Sequence, residues 1–273
     1  MGADYDHVET DSDPTIFSEG VKLTSDKYGV FVDDNLSIGD FSVTPGIRFD
    51  RMRPVGDFFS PSLGVAWNPT DKITLRTYAA RGYSLPTLTV GATQATVTTV
   101  QAGVETTYIP WLWIKTTVFW NQLSDVQNFF AGTIEKQKKQ GVEVEAKTVP
   151  IFNTSLSAGY TFMEGKNRET GEELIPFPRQ LVKLGIHYND VQHSLRGALL
   201  GRYACGNSQF STNARSSAML LDLNLAKKVF SRRDIAFELF FNAHNIFNGA
   251  QDTLDNGFKN ARRWFEGGIR FDF

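Results

Sequence analysis

The last ten residues constrain the fold more than any other part of the chain. In residues 264–273 the phenylalanines and Ile269 share one parity, and the charged residues share the other with Trp264. Successive side chains of a β-strand point to opposite faces. One face of this strand is therefore apolar up to the final Phe273, while the other carries Glu266, Arg270 and Asp272. A transmembrane β-barrel has this pattern, because lipid meets its outer face and water or protein meets its inner face.

The same alternation recurs along the chain and predicts thirteen strands separated by turn signals. The strand charges lie almost entirely on the parity opposite to the apolar residues. A charge on the lipid face costs about 2–4 kcal/mol at the bilayer midplane, so this restriction favours a membrane barrel over a soluble β-sandwich. The apolar faces of the thirteen strands begin, in order, at Tyr28, Phe41, Leu63, Ile73, Val100, Leu112, Val142, Leu156, Val182, Leu195, Met219, Ile235 and Phe265.

Composition excludes several classes of function. The net charge of −2 and the absence of a basic tail argue against a nucleic-acid partner. No apolar run reaches the roughly 18 residues of a membrane helix. The single cysteine, Cys205, allows no internal disulfide. The sequence shows no nucleophile–base pair, phosphate loop or metal-ligand spacing, so we predict no catalysis, no bound metal and no cofactor.

The predicted connections alternate between short and long, as they do in bacterial outer-membrane barrels, where turns on the periplasmic side are short and extracellular loops are long. This alternation predicts a periplasmic carboxy-terminus. The short connections lie near residues 37–40, 68–71, 109–111, 150–153, 189–192 and 231–234, and the long ones near 51–60, 84–97, 124–136, 164–178, 206–216 and 248–261.

An odd number of strands would leave two open edges, which lipid does not tolerate. Either one more strand lies within residues 11–24, or the chain is the carboxy-terminal portion of a larger barrel. We favour the second interpretation. It assigns residues 1–24 to an extracellular loop or disordered lead-in, and residues 25–273 to the carboxy-terminal portion of an outer-membrane β-barrel.

Six features, in this order and spacing, resemble TonB-dependent outer-membrane receptors. One is the strand Gly141-Val142-Glu143, and another is Asn245-Ile246-Phe247 before the last loop, where Asn245 can hydrogen-bond the local backbone. The matching segments are residues 28–34 with 43–50, then 78–87, 141–145, 175–179, 242–248 and 260–264.

This resemblance implies an all-β, antiparallel up-and-down barrel of about 22 strands, of which this chain supplies about thirteen. It also implies a plug domain, TonB, outer-membrane lipid and lipopolysaccharide as partners, and import of a scarce small-molecule nutrient such as a ferric siderophore, haem or cobalamin. We expect this chain to supply barrel wall, lumen and extracellular loops. The alternatives are a shortened standalone barrel that acts as a passive channel, or a surface-binding protein.

Candidate ligand-binding residues lie in the predicted long loops or on the polar strand faces near them. Two phenylalanine pairs in predicted loops are expected to be exposed, and exposed apolar patches usually mark contacts. For His244, on the polar parity, a hydrogen-bonded lumenal histidine is the alternative. The full candidate set is Phe58, Phe59, Arg81, Tyr83, Asn121, Phe129, Phe130, Arg202 and His244.

Aromatic residues near the predicted periplasmic turns are expected to form an interfacial girdle. They are Trp67, Trp111, Trp113 and Tyr188.

Overall fold

A computed structural model describes residues 1–11, 22–53, 56–84, 94–128, 133–174, 177–207, 215–232, 235–249 and 261–272. These residues form fifteen strands and no helix: β1 (Gly2–Asp11), β2 (Lys22–Asp33), β3 (Leu36–Ile38), β4 (Phe41–Arg53), β5 (Gly56–Thr70), β6 (Ile73–Ser84), β7 (Ala95–Ile109), β8 (Leu112–Asn128), β9 (Thr133–Thr148), β10 (Thr154–Asn167), β11 (Phe177–Asp190), β12 (Leu195–Asn207), β13 (Arg215–Arg232), β14 (Ile235–His244) and β15 (Trp264–Asp272). No helix in the described ranges is long and apolar enough to cross a membrane.

The strands follow an up-and-down order in which each pairs with the next along the chain, except that short β3 pairs with β4 beside the main path. The fold class predicted from the alternation is therefore confirmed, and all thirteen predicted strands are present. The sequence missed β1 and β3. Strand β3 has only three residues, which is too short for a period-2 pattern to stand out.

Strand β1 corrects the interpretation of residues 1–24 as a loop or disordered lead-in. It pairs with β2 from Gly2–Phe31 to Asp11–Lys22. Polar contacts join the two strands, including Tyr5 to Asp26 at 2.9 Å and Lys27 to Asp6 at 3.7 Å. Cross-strand pairs of this kind stabilise a ladder without an apolar pattern, which is why alternation did not reveal it. Residues 12–21, part of the range proposed for a hidden strand, lie outside the described residues.

Two of the predicted long loops are largely strand. Strand β4 ends at Arg53 and β5 begins at Gly56, inside the predicted loop 51–60. Likewise, β8 continues to Asn128 and β9 begins at Thr133, inside 124–136. Polar pairs continue the β4–β5 ladder beyond its apolar part, as when Arg51 binds Asp57 at 2.7 Å. Turn-type composition therefore marked the end of the apolar alternation rather than the end of the strands.

The chain divides into two compact units. The first comprises residues 1–104, 118–140 and 166–172, and the second residues 105–117, 141–165 and 173–273. In each unit the register places apolar residues of neighbouring strands directly opposite one another. Phe49 faces Phe59 in the first unit, and Leu239 faces Ile269 in the second.

Burial is inverted relative to a soluble protein. Large aliphatic residues such as Leu184 and Ile269 are exposed, whereas five polar or charged residues of the described chain are buried: Ser25, Asp50, Asp190, Glu238 and Asn245. Charged groups are rarely buried in soluble proteins, and large apolar patches are rarely exposed. An apolar face that meets lipid and a polar face that gathers ion pairs account for both observations.

The aromatic girdle is only partly as predicted. Phe41 and Trp67 are directly opposite on the apolar face, and their rings stack at 5.6 Å. Trp113 differs, because its indole N–H donates to Glu105 at 2.9 Å and the ammonium of Lys147 lies 5.2 Å from its ring. Trp113 thus belongs to the polar face, where odd-numbered residues of β8 point.

Candidate ligand-binding site

A buried ion pair lies on the polar face of the first unit. Arg48 and Asp50 are two residues apart on β4, so their side chains share a face. The Arg48 guanidinium donates to both carboxylate oxygens of Asp50, at 2.6–3.0 Å, and also to Asp4 of β1 at 2.9 Å. Asp50 is fully buried. This forked geometry is the strong form of an arginine–carboxylate contact.

Gly29 leaves the space that this ion pair occupies. A Cβ atom at position 29 would clash with the side chains of Arg48, Asp4 and Asp50. A glycine on a strand often marks such a close approach. The cluster therefore depends on β2 as well as on the strands that carry its charges.

Three predicted site residues pack against this ion pair. Phe58 lies directly opposite Asp50. The ring of Tyr83 lies 4.3 Å from the ring of Phe58, and its hydroxyl hydrogen-bonds to Asp50. The Arg81 guanidinium lies 5.4 Å from the Phe58 ring, within the range of a cation–π contact. Arg81 and Tyr83 have the same parity as Leu75 and Ala79, which the alternation assigns to the apolar face. Alternation alone would therefore not have placed Arg81 and Tyr83 beside Phe58 on the polar face.

The expectation of exposed phenylalanine pairs is corrected at Phe58. Phe58 and Phe59 lie within β5 rather than in a loop, and Phe58 is buried. Phe59 is exposed, but it belongs to the apolar face opposite Phe49. An antiparallel strand sends adjacent residues to opposite faces, so the two rings cannot form one patch. Phe129 and Phe130 lie outside the described residues.

His244 lies in a polar cluster at the end of β14, in the second unit. Its ring stacks on Trp264 at 3.9 Å. Two carboxylates flank it, with Nδ1 at 3.9 Å from Asp222 and Nε2 at 3.7 Å from Glu266. Nε2 has no hydrogen-bond partner among the described residues. The ring of Trp264 and the carboxylates of Asp222 and Glu266 therefore surround His244.

Asn245 fixes the chain next to this cluster. Its side chain donates to the carbonyls of Gly249 and Ala261, at 3.0 and 2.9 Å, and accepts from the Gly249 N–H at 2.7 Å. Its own N–H donates to Asp222, and its φ of 48° is one that asparagine tolerates. The predicted role of Asn245 in binding local backbone is confirmed.

Arg202 is part of a like-charged pair in the second unit. It lies directly opposite Lys183 of β11, and both side chains are exposed on the polar face. Like charges that are directly opposite destabilise a sheet. Neither side chain forms an ion pair with a described residue, so the two cations are open to an anion. Asn121 lies half-buried in β8, in the first unit.

A second buried carboxylate lies on the polar face near the short turns and was not singled out from the sequence. Glu238 accepts from Arg270, directly opposite on β15, at 2.8 Å, and also from Arg196 of β12. A groove of about 480 Å³ beside it is also lined by Lys228. The polar-face charges were visible in the sequence, but their convergence across β12–β15 needs the register. No three His, Cys, Asp or Glu side chains of the described chain are placed to hold a metal.

Strand order, inverted burial and polar-face ion pairs together are typical of the wall of a transmembrane β-barrel. The chain matches the family described as TonB dependent receptor-like, beta-barrel, over residues 1–246, and it belongs to that family. Receptors homologous to this chain are outer-membrane proteins. The resemblance seen in the sequence motifs is thereby confirmed.

Each individual relative matches this chain over only part of the relative's own length. The ferrienterobactin receptor of Escherichia coli is 37% identical over 62 residues, which are 22% of this chain and 8% of the receptor. The ferric enterobactin receptor of Pseudomonas aeruginosa, in a structure with enterobactin, covers 99% of this chain with a TM-score of 0.76 and 17% identity. A ferric citrate transporter in its unliganded form covers 94%, with a TM-score of 0.68 and 18% identity. This chain spans about half of each solved protein, 51% and 47%.

Proposed function

We propose that this chain forms part of the ligand-binding wall of a receptor that imports a ferric siderophore. The observation that carries the proposal is the exposed pair of Lys183 and Arg202 on the polar face. Catecholate and carboxylate groups bring more negative charge to Fe³⁺ than the ion neutralises, so many ferric siderophores are anions. Haem, with its carboxylates, is the second ligand class, and cobalamin is the third.

The proposal fixes an orientation for the chain. The turns at residues 71–72, 110–111 and 191–194 are short, and short turns face the periplasm in bacterial barrels. The carboxy-terminus then faces the periplasm, and the ends of β12 and β14 near Arg202 and His244 point towards the cell exterior. Ligand would reach Lys183 and Arg202 from that side.

The partners proposed for uptake are those of the family. A plug closes the lumen, and TonB supplies energy from the inner membrane. Outer-membrane lipid surrounds the apolar face, and lipopolysaccharide meets the strand ends at the cell surface. The polar wall, with Arg81 and Tyr83 in the first unit and Arg202 in the second, is the part that this chain would contribute to ligand contact. His244 lines the same face.

A binding experiment tests the ligand class. Cells that produce the receptor containing this chain are incubated with radiolabelled ferric enterobactin, the siderophore named for the matched relatives. The double variant Lys183→Gln with Arg202→Gln should bind about a hundredfold more weakly, since each charged hydrogen bond contributes about 1.5–3 kcal/mol. Lys228→Gln is the control, because it removes a charge from the same face at the other end of the strands.

Haem and cobalamin are offered as separate probes in the same assay. Saturable binding of only one of these would move the ligand class to that nutrient. Unchanged affinity in the double variant would contradict the proposed site. Ion conductance in a planar bilayer without saturable binding of any probe would overturn the receptor proposal in favour of a passive channel. Ligand capture without uptake would indicate a surface-binding protein.

A further inference from the structure

One lysine lies on the wrong face of its strand for a membrane barrel. Lys227 of β13 is directly opposite Leu195 on one neighbouring strand and Leu239 on the other. Residues that are directly opposite in an antiparallel pair point to the same face. Lys227 is therefore on the apolar face, and its side chain is exposed there.

A row of phenylalanines marks the edge of the apolar face near the short turns. Phe230, Phe237 and Phe271 are cross-strand partners, and their rings pack at 5.3 and 4.8 Å. Aromatic rows of this kind sit at the membrane–water interface. Leu239, the partner of Lys227, is two residues from Phe237, which is about 7 Å along the strand. Lys227 thus lies one row inside the aromatic boundary.

In the described register of β12–β15, no other charged residue lies on the apolar face between this boundary and the pair of Tyr203 with Met219. None of the described residues is hydrogen-bonded or ion-paired to the Lys227 ammonium group. An ionisable side chain at membrane depth needs a partner, and a lysine near the boundary reaches one by extending its stem towards the headgroups. The groups of opposite charge at that depth are lipid phosphates.

The adjacent Lys228 shows the contrast. The ladder pairs it with Glu238, and it lines the polar groove beside that carboxylate. Two neighbouring lysines therefore point to opposite faces of one strand. One has a protein carboxylate nearby, and the other has only the apolar surface of the sheet around it.

We infer that Lys227 binds the phosphate of a phospholipid in the leaflet at the short-turn end of the barrel. In the proposed orientation this is the periplasmic leaflet, which consists of phospholipid. The inference rests on that orientation, but not on the identity of the imported ligand. It adds a lipid site that siderophore uptake does not require.

Native mass spectrometry of the detergent-purified receptor containing this chain, incubated with phosphatidylglycerol, tests the inference. Lys227→Gln should retain about fivefold less phosphatidylglycerol than the unchanged protein, the effect expected for one lysine near an anionic surface. Lys227→Arg should retain it, because the charge remains. Lys228→Gln is the matched control and should not differ from the unchanged protein. The Gln and Arg variants should fold, since both side chains can lie along the apolar surface, and resistance to unfolding in SDS without heating checks this.

Equal retention by Lys227→Gln and the unchanged protein would overturn the inference. So would an equal loss in Lys227→Gln and Lys228→Gln, which would show a general effect of charge. In protein taken directly from outer membranes, lipid A bound through Lys227 in place of phospholipid would place this end at the cell surface and contradict the orientation. Ferric enterobactin binding by Lys227→Gln, measured in parallel, separates failure of the lipid site from failure of the proposed receptor function.

Discussion

Two buried carboxylates on the polar face, Asp50 in the first unit and Glu238 in the second, are built from the same chemistry but have different surroundings. Asp50 and Asp4 balance Arg48 and Arg81, and Phe58 and Tyr83 cover the ion pair. Glu238 faces Arg196, Arg270 and Lys228, which leaves an excess of positive charge beside an open groove. The first cluster is closed and neutral, whereas the second is open and basic. The difference indicates that the pair of Arg48 and Asp50 holds strands together, whereas the open groove beside Glu238 is available to a partner.

The largest expected effect is at the closed cluster. Asp50→Asn should destabilise the folded chain by about 3 kcal/mol, because it removes a fully buried carboxylate and leaves the half-buried Arg48 without its main partner. Urea unfolding in detergent micelles, followed by tryptophan fluorescence, measures the change. A change in unfolding free energy smaller than that of an exposed ion pair would show that Asp50 does not hold the strands together. It would also remove the distinction between the two clusters.

A smaller effect is expected at the open cluster. Glu238→Gln should cost about 1–2 kcal/mol, near the lower end for charge-assisted hydrogen bonds, because the Arg196 and Arg270 side chains are 57% and 59% exposed and water can replace the carboxylate. The same unfolding assay applies. Added salt should recover part of the loss by screening the repulsion between the two arginines. A loss as large as that of Asp50→Asn would make the two clusters equivalent.

The smallest effect is expected at an exposed ion pair, which provides a reference for both clusters. Asp57→Asn removes an ion pair with Arg51 in which both side chains are about half exposed. Exposed pairs contribute roughly 0–1 kcal/mol, so the unfolding midpoint should hardly move. A shift as large as that of Glu238→Gln would mean that the exposure of an ion pair does not determine how much it stabilises the fold at Asp50, Glu238 and Asp57.

The number of strands and the face on which each residue lies could largely be predicted from the sequence. The reason is that a charged side chain on the lipid face is destabilising, and this restricts the residue types along every strand. The alternation located each of the thirteen longer apolar strands. It failed for β1, where Tyr5, His7 and Asp26 support the ladder with polar contacts instead of an apolar stripe. It also ended β4 too early and began β5 too late, because Arg51 and Asp57 continue the pairing beyond the apolar rows.

The candidate site was less predictable, because it depends on which strands lie side by side and in which register. Phe58 and Phe59 look like one exposed pair in the sequence, yet a strand sends them to opposite faces. The ion pair of Arg48 with Asp50 needs the space above Gly29 on another strand. Glu238 binds Arg196 and Arg270, which lie 42 and 32 residues away along the chain on other strands. His244 was found because a histidine on the polar parity near a strand end is visible without the register.

The central claim is that the apolar face of these strands meets lipid and the polar face meets water. Single cysteines placed in turn at Leu239, Phe240, Phe241 and Asn242 of β14, in a background with Cys205→Ser, test it directly in membrane vesicles. Cysteines at 240 and 242 should react with a water-soluble maleimide, whereas those at 239 and 241 should react only with a lipid-soluble one. Equal reactivity at all four positions, or the opposite alternation, would contradict the account.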